Sequence, residues 1–413
     1  MTFPLIDTVT VRGSVQLSGQ LARSSDHSLT AMTSDSTSTG GSGTRRVRAG
    51  VLLALTAIAL PGFTATAPSA AADTADYHIY AHGFLSNGIA GYNASDTDQP
   101  TPIPGKPTPG ALNWPQAPTP DGRFLFVAPG SNPQLIPYAI GPGGELTAGT
   151  PLAMPDVPVD IIFAPNSRDA FVVVGLQNAQ VVPVRIAADG TPTRNGPGIP
   201  FGESLDGIAS GTVSPDGRQL YVASLLPRQL LVFDISPDGS VSPVAQRVST
   251  GLNPIYPRVT PDGRHVYVVN EISGSVSGFA RAEDGSLTEI AGSPFPTGML
   301  PHVTSMTPDG LYVPNMGSGH ISSFAVEANG ALRPLHDVAF APEKPGTFAE
   351  SSVMSPSGQV LWALGTDPAR GGEEILRRFA IGPDGVLDLD ESVAVYTGTQ
   401  VADGRTLSLV PRR

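Results

Sequence analysis

The sequence predicts an all-β protein, a seven-bladed β-propeller built of four-stranded blades. Three observations carry that expectation. A turn of the Pro-Asp-Gly type recurs at steps of 45 to 50 residues, close to the period of about 40–50 residues of a four-stranded propeller blade. A second, glycine-bearing turn follows at a fixed place in most periods, and the two ends of the chain hold complementary fragments of the same unit.

The unit is clearest at Thr260 to Phe279. Pro261-Asp262-Gly263 supplies turn chemistry, with φ preset at proline and a glycine free to take φ > 0. His265-Val266-Tyr267-Val268-Val269 is a β-branched and aromatic run, Asn270 to Gly274 reverses the chain, and Ser275 to Phe279 returns as a second strand. One hairpin cannot bury its own apolar face, so it must stack on copies of itself. The front turn recurs as Pro120-Asp121-Gly122, Pro165-Asn166-Ser167, Pro215-Asp216-Gly217, Pro308-Asp309-Gly310, Pro356-Ser357-Gly358 and, more loosely, Ala402-Asp403-Gly404. The second turn recurs as Gly143-Gly144, Asp189-Gly190, Asp238-Gly239, Asp284-Gly285, Asn329-Gly330 and Asp384-Gly385. Two turns per period leave room for four short strands.

The ends set the blade count. After Gly404 only one strand, Arg405 to Val410, remains, and Tyr80 to Tyr92 aligns without a gap on Tyr267 to Phe279 with no front turn before it. Six complete units and two fragments make seven blades, the C-terminal strand completing the first and closing the ring, which removes exposed sheet edges. The 47 glycines and 42 prolines suit so many turns. No window of a dozen residues keeps helical apolar spacing free of Gly and Pro, so little helix is expected beyond the leader.

Residues 1–72 read as a disordered Ser/Thr/Gly-rich leader ending in a secretory signal peptide. Thr44-Arg45-Arg46-Val47-Arg48 is basic, Ala49 to Leu60 is apolar, Pro61-Gly62 breaks the run, and Ala70-Ala71-Ala72 offers a cleavage point. The apolar run is too short for a membrane span. Met32 is the better start, because the charged region is overlong from Met1. Arg45-Arg46 suggests the twin-arginine route, but Arg48 and Ala49 stand where a bulky apolar residue usually follows, so plain secretion is the stronger reading. Residues 73–413 are then the propeller, secreted or held at the cell envelope, and expected to be monomeric. With no cysteine, disulfides, thiolate metal sites and a lipidated cysteine are excluded. The formal net charge of −12 argues against nucleic acid and anionic membranes as partners.

The recurring Pro-Asp-Gly-Arg, hydrophobic, Tyr-Val unit, as in Ser214 to Val222 and Thr260 to Val268, resembles the seven-bladed lactonase-like propellers, similar to 6-phosphogluconolactonase and carboxymuconate cyclase and overlapping with YVTN-type repeats. The likeness covers about residues 77–413 and implies a site where the loops after the second strands and the loops entering the inner strands open on one face. It also implies Pro-Arg-His entering one inner strand and Asn-Glu after the next second strand. Asn270-Glu271 matches the latter; Pro254-Ile255-Tyr256 stands where the former belongs, and Asn315-Met316 where Asn-Arg is common. His302 enters the next inner strand. By this likeness Glu271 and His302 are the candidate catalytic pair, and Asn270, Tyr256, Arg258, Asn315, Trp114, His82 and Glu350 the candidate substrate-binding residues.

Each has a plainer alternative. Glu271 can be a solvated loop carboxylate, His302 a rim residue satisfied by a carbonyl, His82 strand packing and Trp114 blade-to-blade packing. Glu350 and Asp160 fall near the same entry position and could ring a hard cation with Glu271, but dispersed carboxylates are usually solvated, so neither metal nor cofactor is expected. There is no Gly-x-Ser-x-Gly elbow and no Gly loop with a Lys to cradle phosphate. Few arginines near the mouth make a phosphorylated sugar lactone a poor substrate. Two functions stand: an exported enzyme hydrolysing or cyclising a small lactone, or a non-catalytic propeller binding a small molecule, glycan or protein.

Overall fold

The computed structural model describes residues 76–413 except 106, 108–112, 176–178 and 203–209, and only the backbone of Asn113 and Trp114. The expected leader, the start at Met32 and the cleavage point before Asp73 lie outside the described residues. The described residues form seven antiparallel sheets, each with a path of four strands, and three of them carry a further short strand off that path. Blades two to seven follow one another in sequence, with inner strands Asn113–Pro118, Pro158–Phe163, Ser210–Val213, Pro254–Val259, Ser305–Met306 and Ser351–Met354. Blade one is composite. Its inner strand is Leu407–Pro411, paired with Tyr77–Ala81, which pairs with Ala90–Ala94 and then Thr101–Pro102. The C-terminal strand therefore closes the ring as expected. Among the described residues the single helical turn is 3-10, Pro368–Arg370, and no helix is long and apolar enough to cross a membrane.

The front turn owes its shape to one short set of bonds. Thr119, Ser214 and Thr260 donate their hydroxyls to Asp121, Asp216 and Asp262 at 2.6, 2.5 and 2.5 Å. The same carboxylates accept the backbone N–H of Arg123, Arg218 and Arg264 and pair with those guanidinium groups. Gly263 completes the turn at φ +73°, open to glycine and costly to most other residues. Blade three departs, with Ser167 at φ +58° in the glycine place. So does blade six, where the second strand begins at Gly310 itself and the turn is correspondingly shorter.

The second strands are buried along their whole length, as in Phe124–Pro129, Asp169–Val174 and His265–Asn270. Each is covered on both faces by the neighbouring blades, so the sequence is a continuous apolar run instead of an alternation. The described core divides into seven apolar clusters, each spanning two adjacent blades. The seam between blades seven and one is packed like the others: Trp362, Leu364 and Leu376 meet Tyr77 and Ile79, and Trp362 Nε1 donates to the Tyr77 hydroxyl at 2.8 Å. The repeated tyrosine ties some blades to the next, Tyr80 to the Gly144 carbonyl and Tyr267 to that of Gly330.

One sequence expectation needs correction. Ala402-Asp403-Gly404 is not a front turn. It belongs to the loop that leaves Leu387–Gln400 and enters the inner strand Leu407–Pro411, so Asp403 and Arg405 lie at the opposite end of the ring from the true front turns.

Candidate active site

Antiparallel geometry puts the loops entering the inner strands at the same end of the ring as the loops after the second strands. Backbone strain collects where the chain enters the inner strands: Asn253, Tyr256, Leu300 and Val401 all have positive φ, at 57°, 46°, 51° and 60°, Tyr256 at an irregularity within its strand. A β-branched residue such as Val401 in that region is held there only by its surroundings.

Tyr256 is the hub. It is buried, its N–H donates to Ser210 Oγ at 2.6 Å, and its ring lies edge-on to the His302 ring at 5.1 Å. Burial drives its hydroxyl pKa well up, helped by the charges of Asp403, Asp160 and Glu271. Arg405 sits over the same ring at 5.7 Å. Its guanidinium leaves blade one, comes within 3.4 Å of Asp160 on blade three and donates to the Gly211 carbonyl on blade four. It thus crosses the axis of the ring.

His302 is buried, with Nδ1 3.1 Å from the Glu350 carbonyl oxygen and Nε2 3.6 Å from Asp403 Oδ1. A carbonyl only accepts, so Nδ1 carries a proton, and Nε2 faces the half-exposed Asp403 carboxylate. Glu271, part-exposed, accepts from the Asn253 side-chain amide. No hydrogen bond joins Glu271 to His302; Tyr256 packs on the histidine and feels the charge of the glutamate.

The other candidates divide between open and committed groups. Asn270 is fully buried and spends its side chain on the Gly251 N–H and the hydroxyls of Ser275 and Ser277. Asn315 does the same in blade six with Thr297, the Val313 carbonyl and Ser322. Both brace the entry loop against the hairpin. Arg258 reaches into the central channel, donating Nε to the Thr304 carbonyl at 3.0 Å. His82 is fully buried, and burial pulls its pKa down to about 3, opposed by the Gly83 backbone. Trp114 lies in the inner strand of blade two, its side chain outside the described residues.

Glu350 is buried, accepts from Thr366 Oγ1 at 3.1 Å, and is held by burial well above the usual carboxyl range. Near it on blade seven, Glu374 is fully buried, accepts from Thr399 Oγ1 at 2.6 Å, leaves Oε1 without a partner, and has its pKa pushed up to about 7 by burial. Asp160 is also raised by burial, against the opposing effect of Arg405. The carboxylates do not form a cation cage: Asp160 is taken up by the N–H groups of Gly211 and Ile161 and by Arg405. Among the described residues no three His, Asp or Glu groups are arranged to hold a metal ion.

Asp403, Arg405 and Glu374 escaped the sequence reading. For the first two a signal existed. Leu409-Val410-Pro411 matches Val259-Thr260-Pro261 at the end of an inner strand, which places Gly404-Arg405 at its entry.

Fold and site together define a closed propeller with a ring of buried titratable groups at the entry end of its channel. The profile of the family described as lactonase, 7-bladed beta-propeller matches residues 118–300 and 213–365, and the chain belongs to that family. Among solved structures it is similar to the periplasmic gluconolactonase of Pseudomonas aeruginosa, at 21% identity and TM-score 0.67, covering 82% of this chain and 99% of that one. It is also similar to candidate 6-phosphogluconolactonases from Bacteroides fragilis (18% identity, TM-score 0.67, 83% and 100% covered) and Bacteroides uniformis (19%, 0.64, 81% and 100%). At these identities the likeness is one of fold.

Proposed function

We propose that this chain is an exported lactonase-like propeller that opens the ring of a small lactone at the entry end of its channel, with His302 as the base. The observation that carries the reading is the polarity of His302. Nδ1 is fixed as donor to a carbonyl, and Nε2 faces a carboxylate 3.6 Å away. Nε2 takes a proton from water, the water oxygen bonds to the lactone carbonyl carbon, and collapse of the tetrahedral adduct breaks the ring C–O bond. The departing oxygen takes the proton back from Nε2, leaving a hydroxy acid. Asp403 stabilises the transient imidazolium. Glu271, at the rim beside Tyr256, orients the attacking water. The reverse sequence is cyclisation. Family membership supports the substrate class. The signal-peptide pattern supports export, as does the periplasmic location in the name of one structural neighbour.

A second reading, a non-catalytic binder of a small molecule or glycan, is favoured by Ile255 standing in place of the arginine of Pro-Arg-His and by the full internal commitment of Asn270 and Asn315. One experiment separates the two. The chain from Asp73 onward is assayed against aldono- and muconolactones, with His302→Gln and Glu271→Gln beside it. Each variant is expected to lower kcat/KM by roughly 10² or more, and the double variant little further, since the two act as a unit. Turnover unchanged in either single variant removes that residue from the chemistry; binding without turnover in the unaltered chain supports the second reading.

A further inference from the structure

We propose that the central channel, on the front-turn side of Arg405, is a second ligand site that takes a hydroxylated monocarboxylate, its carboxylate seated on the Arg258 guanidinium. The cavity there is about 380 Å³ and is lined by the inner strands of six blades. That volume lies within the range of small-molecule sites, about 300–1,000 Å³. Its lining comes from the inner strands and not from the loops after the second strands, as with Thr212, Ser305, Met306, Met354 and Leu409. It shares Arg405 with the entry site, but His302, Tyr256 and Glu271 do not line it.

Charge sets the ligand's sign. Arg258 and Arg405 both line the cavity, and one carboxylate, Asp160, lies beside them, paired to Arg405. Among the described residues one positive charge remains without a carboxylate paired to it. Arg258 uses only Nε, on the Thr304 carbonyl; its two terminal amino groups have no partner among the described residues. Those groups form the fork that meets a carboxylate in two parallel bonds. Burial and the neighbouring Arg405 pull the Arg258 pKa down to about 9, against the opposing charge of Asp160, and it stays charged at neutral pH.

A second unpaired group sets the rest of the ligand. Gln116 lines the same cavity, is 2% exposed, and donates Nε2 to the carbonyls of Tyr80 and Thr406, while its Oε1 has no partner. A buried amide oxygen left empty is costly, and it requires a donor. Chloride has none; a ligand hydroxyl does. The apolar walls of Met306, Met354 and Leu409 leave room for a short carbon chain between carboxylate and hydroxyl.

The test is calorimetric titration of the chain from Asp73 onward with sodium glycerate, sodium propionate and sodium chloride at matched ionic strength. Glycerate should bind at one site per chain, and propionate, which has the carboxylate without the hydroxyls, at least tenfold more weakly. Arg258→Gln should weaken glycerate at least tenfold, Gln116→Leu should reduce glycerate to the propionate level, and His302→Gln should change nothing. Equal responses to glycerate and chloride, no binding of glycerate at millimolar concentration, or binding lost in His302→Gln and kept in Arg258→Gln each overturns the proposal. The last of these outcomes would leave the lactonase reading standing, so the two can fail separately. If Arg258→Gln does not fold, Arg258→Lys decides: the ammonium keeps the charge and loses the fork, so affinity should drop severalfold, and unchanged affinity overturns the assignment.

Discussion

Glu374 makes stability fall as pH rises. Its carboxyl is fully buried, its Oε1 meets no donor, and burial lifts its pKa from an ordinary 4.5 to about 7. A carboxyl whose pKa is raised on folding stabilises the native state fully below the unfolded pKa, and that contribution is lost as pH climbs through the folded one. The window runs from about pH 4.5 to above 7. With about 1.36 kcal/mol per pKa unit, the loss attributable to this one group is about 3 kcal/mol. Glu374→Gln keeps the shape and an acceptor for Thr399 while removing the titration. Urea denaturation between pH 4 and pH 8, at constant m-value, should find the variant close to the parent at pH 4 and about 3 kcal/mol more stable at pH 8. Glu350 shares this environment and is itself raised partly by the charge on Glu374, so its relief adds in the same direction. Parallel pH profiles for the two proteins would refute the reasoning.

Three further expectations follow from the fold. Deleting Arg405 to Arg413 removes a strand with five register partners on Tyr77–Ala81 and the buried Leu407 and Val410, a loss on the order of 10 kcal/mol; a cooperative melt at the parent temperature would contradict the composite blade. Asp262→Ala breaks the bonds from Thr260 and from the Arg264 backbone and should cost about 1–2 kcal/mol, measured as a shift in urea midpoint, with the same change at Asp121 behaving alike and at Asp216, which also accepts from Arg281, costing more. Mature protein in the culture supernatant should begin at or near Asp73 by N-terminal sequencing, and soluble cytosolic protein with an intact leader would contradict export.

The fold was legible because its signals are local. In four blades the front turn is one hydroxyl, one carboxylate and one glycine within five residues, so those copies announce themselves, and their period then implies a ring. The candidate site depends on contacts between blades, which no local pattern records. Asn270 and Asn315 carry polar side chains at the right end of the right strands, yet the strands beside them consume every bond. Ala402-Asp403-Gly404 has turn composition wherever it occurs, and only the pairing of Leu407–Pro411 with Tyr77–Ala81 shows which end of a strand it serves. Arg405 could not be assigned to Asp160 and Gly211 without knowing that blades one, three and four face one another across an axis.

The seam in blade one has a consequence for the order of assembly. Blades two to seven are contiguous hairpins whose contacts lie close in sequence, whereas joining Tyr77 to Pro411 closes a loop through nearly the entire described chain, at an entropic cost of about 5 kcal/mol on the logarithmic law. Contacts that distant form late. Asp403 and Arg405 ride on the entry to that final strand, so the groups facing His302 and Asp160 come into register only when the last few residues of the polypeptide have docked. The entry site is thus incomplete until the ring closes, since Asp403 and Arg405 come with the strand that closes it.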